Sequence, residues 1–466
     1  MKFNRRQFVK GSAIAAASTF VGCTASGGKF PTVAPAIARF RKPNEKLNIG
    51  VIAVGGKGWS NWEPMFGMGE NIVALCDVDR TSVDRALKHM EGKGASTKDV
   101  KCYSDYRKML DECKNLDAVL VSTPDHTHAP AAIRAMKMGM HAYVEKPLVR
   151  TIWELGYFEK VAKTNGVVTQ MGNQGSASDG FRRNVEVLSS GILGNVTEVH
   201  VWTNRPVWPQ GMLRPEGSDP IPSSLDWDSW LGTAPVVPFK KDTYPFKWRG
   251  FFDYGTGAFG DMACHTMNLP FRGLKLGKVV SAECLKIEGK NKDSFPSKSI
   301  VKMTYAARGT MPEVALFWYD GNLKPSADIM PPVIATLGEV PKTGCLVIGD
   351  KGMLVSTNDY GADAYIALKG DAKMKSVAKG DTFASIPTFL PRGSEHHREF
   401  VQACKGQGKC LSDVEHSIPL LEGMLVGCIA QRIPGKLEWN SAKQSFANNA
   451  DANLLLTPHI RKGWEF

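Results

Sequence analysis

No two cysteines in this chain stand at CxxC spacing, although ten are present, so the pattern supplies neither a structural zinc site nor a dithiol redox pair. Nine remain after Cys23, an odd number, and Cys76, Cys264 and Cys428 sit among apolar neighbours, where a free thiol behaves as a small hydrophobe. A disulfide framework is therefore not expected. There is no HExxH, no calcium loop, no internal repeat and no low-complexity tract, and His396 and His397 are adjacent and so diverge, which argues against a two-histidine metal site. No metal is expected. A long apolar run is missing too, since the mildly apolar stretch from Gly11 to Val21 falls well short of the roughly 20 residues a bilayer span needs. Lys and Arg exceed Asp and Glu by 58 to 46, but without a basic block, which excludes nucleic acid as the expected partner.

What is present begins with "MKFNRRQFVKGSAIAAASTFVGC", the layout of an export signal. It resembles the signal of the twin-arginine pathway, which exports folded proteins, and its end resembles a lipoprotein cleavage site in which Phe20 departs from the usual small aliphatic residue. Residues 1–23 are expected to be this signal, with an exported, periplasmic or lipid-anchored protein as the result and Cys23 as the one expected membrane attachment. Its Lys2, Arg5, Arg6 and Lys10 account for part of the net charge of +12. Residues 24–45, rich in Gly, Pro and Ala, are expected to be a linker. The 466 residues exceed one ordinary core, so two domains are expected after the linker, at 46–166 and 167–466.

The first domain opens on "KLNIGVIAVGGKGWSNW". An apolar strand runs into Gly55, Gly56 and Gly58 and then into a helix, so that backbone N–H groups and the helix dipole converge where a pyrophosphate fits. The G-x-G-x-x-G register is broken, because Ala53 holds its first position ahead of Gly55 and Gly58. A second strand, "NIVALCDVD", ends at Asp77, 19 residues after Gly58, the spacing of a carboxylate that hydrogen-bonds an adenosine ribose. This favours NAD, while Arg80 just beyond can tolerate the phosphate of NADP. Strands and helices keep alternating through "LDAVLVSTPDHTH" and "MHAYVEKPL". Such alternation predicts a doubly wound parallel sheet, with ligands at the carboxyl ends of its strands. Ser122 to His128 and Glu145 to Pro147 fall at those ends.

"STPDHTH", followed some 20 residues later by "EKP" behind a glycine turn, resembles the Gfo/Idh/MocA oxidoreductases, the family of glucose-fructose oxidoreductase and inositol dehydrogenase. The likeness in layout covers nearly everything after residue 45. It implies that Lys146 reaches substrate hydroxyls beside a nicotinamide, that Glu145 helps place it, and that Pro147 pins the turn, often through a cis peptide. Ser122, Pro124, His128, Glu145, Lys146 and Asn173 join the glycines and Asp77 as expected cofactor contacts. His126 and His128 either face the nicotinamide pocket or cap the following helix, and Asn173 and Gln174 follow the strand "VVTQMG".

The second domain carries strand-like runs, "GNVTEVHVWTN", "VVSAECLKI", "SIVKMTYA", "EVALFWYD" and "GCLVIGDKGMLVST". They predict an α+β domain with a large, mostly antiparallel sheet packed on helices. In the resembling family this sheet walls the active site and commonly makes the oligomer contact, so a homo-oligomer is expected. Between the runs lies an aromatic-rich segment that includes Arg249 and Tyr254, expected sugar contacts, and ends in "GDMACH". Asp261 and His265, four apart at the start of a helix, share one face. An imidazole beside a carboxylate can accept a hydroxyl proton, the acid stabilising the imidazolium. The pair matches the family's D-x-x-x-H element, which implies His265 as general base and Asp261 as the acid that binds substrate and orients the base.

Three functions stand on this fold. The first is an NAD-dependent oxidoreductase acting on a ring hydroxyl of a sugar or polyol. The second is a glycosidase that oxidises, eliminates and reduces with a retained NAD, as in the NAD-dependent N-acetylgalactosaminidases, although a histidine segment distinctive of those enzymes is not evident here. The third is a non-catalytic sugar-binding protein in which Ala53 marks a decayed cofactor site.

Overall fold

The structure, a computed structural model, describes residues 30–466 apart from 242, 244 and 245, and residues 35–466 form one compact unit. The expected export signal with Cys23 lies outside the described residues.

The first layer is built from strands β1 (Asn48–Ile52), β2 (Asn71–Cys76), β3 (Lys101–Tyr103), β4 (Ala118–Val121), β5 (His141–Val144) and β6 (Thr169–Met171). All neighbours are parallel, in the order β3-β2-β1-β4-β5-β6. Between them run α1 (Lys57–Gly67), α2 (Arg80–Gly92), α3 (Tyr106–Glu112), α4 (Asp125–Met136) and α5 (Ile152–Asn165). Asp79 and Asp105 cap α2 and α3, and Thr151 with Glu154 forms a capping box on α5, so the first N–H groups of each helix find acceptors. The central strands β4 and β5 are buried along their whole length, as a sheet covered on both faces requires. Because β6 belongs to this sheet, the boundary expected at 166 moves beyond residue 171.

The second layer continues with α6 (Asp179–Ser189), β7 (Val196–Trp202), α7 (Trp227–Leu231), α8 (Gly257–Thr266) and α9 (Asn268–Gly273). Strands β8 (Val279–Glu288), β9 (Lys298–Tyr305) and β10 (Val314–Tyr319) follow, then α10 (Pro331–Leu337), β11 (Gly344–Gly349), β12 (Gly352–Ser356), β13 (Ala364–Leu368) and β14 (Lys375–Ser376). The chain closes with α11 (His396–Cys404), α12 (Val414–Ala430), β15 (Leu437–Asn440), β16 (Ser445–Phe446) and α13 (Ala450–Leu454). Ten strands form one sheet, antiparallel except where β10 runs parallel to β7. Strand β9 alternates intermediate and buried residues along its length, the period-2 signature of a one-sided sheet. Helix α12 packs on β8, α5 and α8, and so ties this sheet to both halves.

Two connections differ from the sequence-based expectation. Residues 24–45 were expected to be a free linker, yet from Ala36 onward the chain is pinned: Ala36 N donates to Asn165 Oδ1 (2.8 Å), Arg39 N to Gly139 O (3.0 Å), and Arg41 pairs with Asp117 (2.9 Å). Backbone donors there find acceptors that composition alone does not reveal. Helix α11, late in the chain, buries Phe400, Val401 and Cys404 in the core of the first sheet beside Leu47 and Tyr143. The two sequence-contiguous domains are therefore interlocked. Among the described residues no helix is long and apolar enough to cross a membrane.

Candidate active site

The strand order reverses between β1 and β4, and the crevice at their carboxyl ends is where a doubly wound sheet binds ligand. Each glycine of the first turn has its own reason. A Cβ on Gly58 would lie 1.9 Å from the carbonyl oxygen of Ala53, one on Gly55 would lie 2.5 Å from Ser82 Oγ, and Gly56 has φ +53°. Ala53 itself sits at φ 68°, a left-handed conformation that a side chain disfavours by roughly 1–2 kcal/mol. The broken fingerprint thus keeps the backbone path that glycine usually supplies. Asp77 Oδ2 accepts from the N–H groups of Val54 (2.7 Å) and Gly55 (3.0 Å), and its Oδ1 from Asp79 N. The carboxylate therefore holds the glycine turn as well as lining a pocket with Ala53, Thr123, Pro124 and Trp230. Burial raises its pKa against those hydrogen bonds. Arg80 lines the outer end of the groove and is paired with Asp84.

One wall of that pocket was not foreseen. Arg80 N donates to Ser224 O (3.0 Å), Asp226 N to Val78 O (2.8 Å) and Ser104 Oγ to Asp226 Oδ2 (2.9 Å), so the segment leading into α7 lies across the end of β2. Its Trp230 enters the pocket. Nothing in the local pattern of "SSLDWDSW" marks this, because the partners are more than 100 residues away.

At the far end of the crevice, the Lys146–Pro147 peptide is cis. Lys146 Nζ donates to Asp261 Oδ1 at 2.6 Å and to the Asp261 carbonyl at 3.2 Å. Arg249 Nη1 lies 3.2 Å from the same Oδ1 and 3.1 Å from Asp125 Oδ1, and Thr256 donates to Asp125 Oδ2 at 2.7 Å. The guanidinium rests on the ring of Trp248, 4.4 Å from its centroid. Burial opposes ionisation of Asp261, but the charges of Lys146 and Arg249 prevail and hold its carboxyl well below the usual carboxylate range. Burial likewise works against the Lys146 ammonium, and Asp261 more than offsets it, so the amine stays charged with its pKa raised.

His265 stands one turn along α8. Burial, and next the charge of Lys146, push its imidazole down to about 3 in spite of Asp261. At neutral pH it is uncharged, and its Nδ1 is buried without a partner among the described residues. No hydrogen bond joins His265 Nδ1 to Asp261. The i, i+4 spacing puts both on one face, but the carboxylate is taken up by Lys146 and Arg249, which the sequence spacing could not show. Asn173 donates to Cys264 O (3.3 Å), and its Oδ1 and Gln174 Oε1 are also buried and without a partner among the described residues. Orphaned polar atoms gathered in one buried corner point to a ligand that supplies their partners.

Glu145 does not contact the Lys146 amine. Its Oε1 accepts from Asn61 Nδ2 (3.0 Å) and lies 3.6 Å from Lys57 Nζ, while Gly172 leaves it room, since a Cβ there would be 2.4 Å from Oε1. Asn61 also donates to Ser122 Oγ (2.9 Å) and meets His397 Nε2 (3.2 Å), joining the glycine-turn helix, β4, β5 and α11. Two residues expected to make contacts, His128 and Tyr254, have protein partners of their own. His128 Nδ1 and Nε2 each lie 2.7 Å from a carbonyl oxygen, of Pro147 and of Thr123, so the buried ring clamps the two loops. Tyr254 is buried in a cluster with Trp227, Trp230 and His126, its hydroxyl 3.4 Å from Arg214. His126 meets Trp230 O (2.9 Å), and burial pushes it down to about 4. Tyr360, which carries no sequence signal, lies edge-on to His265 at 5.0 Å between centroids.

The donors fit a dinucleotide: a glycine turn that admits no Cβ at Gly58, an acid at the second strand's end, and an unpartnered polar corner where the crevice ends. Residues 47–173 match the family model described as "Oxidoreductase family, NAD-binding Rossmann fold", and residues 185–307 the one described as "Oxidoreductase family, C-terminal alpha/beta domain". Among curated proteins, a glycosyl hydrolase family 109 protein of Shewanella sp. strain MR-4 is 32% identical over 165 residues, 33% of this chain and 36% of that protein. An alpha-N-acetylgalactosaminidase of Shewanella oneidensis is 32% identical over 161 residues, 32% of this chain and 35% of that protein. The match thus spans about a third of the length of these relatives. Solved structures share the fold as well. The WlbA dehydrogenase of Bordetella pertussis, in complex with NADH and UDP-GlcNAcA, has TM-score 0.56 at 14% identity over 85% of this chain and 99% of that one. An inositol dehydrogenase homologue from Azotobacter vinelandii, complexed with NADH and myo-inositol, has TM-score 0.58 at 16% identity over 87% and 100%.

Proposed function

This chain belongs to the Gfo/Idh/MocA oxidoreductase family, and from that premise we propose that it oxidises a ring hydroxyl of a sugar or polyol using NAD. The observation that carries the reading is the 2.6 Å contact between Lys146 of the dinucleotide-binding half and Asp261 of the helix that also bears His265. It brings a fixed cation and an uncharged imidazole to one end of the cofactor crevice. Gly55, Gly56 and Gly58 would hold the pyrophosphate, Asp77 and Pro124 the adenosine side, and Asn173 the nicotinamide end. Bound NAD supplies the hydride acceptor.

The chain's own groups do the rest. His265 Nδ1, with no partner in the described residues, accepts the substrate hydroxyl proton. The Lys146 ammonium stabilises the developing oxyanion and is kept charged by Asp261. Asp261 thus acts through Lys146, and Arg249 balances it while offering its remaining N–H groups to substrate oxygens. Because burial depresses His265 to about 3, the base is available across the neutral range and is weak, so proton uptake must be concerted with oxyanion stabilisation.

A second reading is favoured by the glycosyl hydrolase family 109 relatives: a retained NAD serving oxidation, elimination and re-reduction, with glycoside cleavage as the net result. The run Arg5–Arg6 and the following apolar stretch support export, which would make a retained cofactor advantageous, with lipidation of Cys23 and homo-oligomerisation as further parts of this reading.

Native mass spectrometry of purified protein tests for carried NAD. A panel of sugars and glycosides, monitored by reduced-nicotinamide absorbance and by product analysis, then separates the readings. Net reduction marks the dehydrogenase, and cleavage without net absorbance change marks the glycosidase. Lys146→Ala and His265→Ala should each abolish turnover while dinucleotide binding persists. Near-full activity in either variant would refute its role.

A further inference from the structure

Behind the catalytic helix lies a second cleft that the proposed reaction does not use. Its walls include Arg150, Thr256, Phe252, Phe295, Arg432 and Thr457. Through Phe252, Arg432 and Leu455 it continues past Lys290 and Lys292. Two half-buried guanidinium groups face this space. Arg150 Nη1 donates to Phe252 O at 2.7 Å, but its Nε is buried with no partner among the described residues. Arg432 lies over the Phe252 ring, 4.0 Å from its centroid, and no carboxylate among the described residues comes within ion-pair distance of it. The one acid in the cleft wall, Asp253, is paired with Arg214, and the buried Glu154, which takes the Arg150 backbone N–H at 2.9 Å and feels the charge of Arg150, makes no hydrogen bond with its guanidinium. Burial, and next the charge of Arg150, lower the pKa of Arg432 to about 10 in spite of Asp253.

Guanidinium groups in a partly dry cleft are ordinarily paired, since desolvating a charge without a counter-charge is costly. Their planar donor forks match carboxylate and sulfate. The floor is apolar: the Phe252 and Phe295 rings meet edge to face at 4.7 Å, beside Leu425 and Ile429. We propose that this cleft binds a ring-bearing organic oxyanion, a carboxylate or sulfate ester, with the anion between Arg150 and Arg432 and the ring on Phe252 and Phe295. The site is distinct from the catalytic corner yet adjoins it. Thr256 lies in its wall and donates to Asp125, the partner of Arg249. Occupancy would therefore bear on the start of the helix that carries Asp261 and His265.

Isothermal titration of the purified protein with glucuronate, glucose 6-sulfate and glucose tests the assignment. The expected result is saturable binding of at least one anion and none of glucose. That binding should weaken by about tenfold or more in Arg432→Gln, as loss of a charge-assisted bidentate contact implies, and persist in Lys146→Ala, which alters only the catalytic corner. Whichever anion binds more tightly identifies the source of the charge. Thr457→Trp, which fills the rim and leaves both arginines in place, must also block binding, and it decides the matter if Arg432→Gln does not fold. Absence of saturable binding by both anions, equal binding of glucose, or binding that survives both cleft variants would overturn the proposal.

Discussion

Replacing Asp261 by Asn removes the one negative charge shared by Lys146 at 2.6 Å and Arg249 at 3.2 Å while keeping the shape of the side chain. At an effective dielectric of about 20, Coulomb's law gives roughly 6 and 5 kcal/mol for the two attractions before desolvation is subtracted. Measured losses for breaking a buried pair are about 3–5 kcal/mol, because the partner charge stays buried and uncompensated. Here Lys146 is left without its carboxylate, and Arg249, which keeps Asp125 at 3.1 Å, still repels it, so Asp261→Asn should lower stability by about 3–5 kcal/mol at pH 7. The pH dependence gives a second check. The folded carboxyl titrates well below its unfolded value, so its contribution is fully present above the unfolded pKa of about 3.9 and lost only as pH falls through the lower folded value. Urea unfolding of both proteins should therefore show a constant gap from pH 8 to about 5 that narrows below about pH 4. A gap under about 1 kcal/mol at pH 7 would mean that the three charges are solvated rather than mutually dependent, and the proposed electrostatic support of Lys146 would fall with it.

Buried histidines set a different acid window. His126 and His141 are pushed down to about 4 and His265 and His396 to about 3, in each case first by burial. The unfolded chain binds more protons there, so stability should fall as pH drops from about 6.5 towards 4, and a flat profile by denaturant unfolding would contradict the burial. His265→Gln should flatten part of that slope. Gly58→Ala places a methyl 1.9 Å from Ala53 O and should weaken NAD binding, read by calorimetry, by at least about tenfold. Unchanged affinity would show that the turn can relax. Ala53→Gly should raise stability by about 0.5–1 kcal/mol by relieving a positive φ, checked by thermal unfolding, and a lower midpoint would contradict the strain.

What the sequence determined by itself is the local part. Alternating apolar runs and caps defined the parallel sheet, the antiparallel sheet and the helix carrying Asp261 and His265, because period and end chemistry act within a few residues. The glycine turn and the EKP segment were legible for the same reason. The tertiary structure alone decided which charges meet. Lys146 found Asp261 115 positions away, so the carboxylate one turn from His265 is engaged by two cations. His128 became a clamp between loops, Tyr254 a core residue, and Trp230, Asn61 and Tyr360 parts of the crevice. These outcomes depend on how sheets and helices pack, and packing between distant segments leaves no trace in the spacing of residues along one of them.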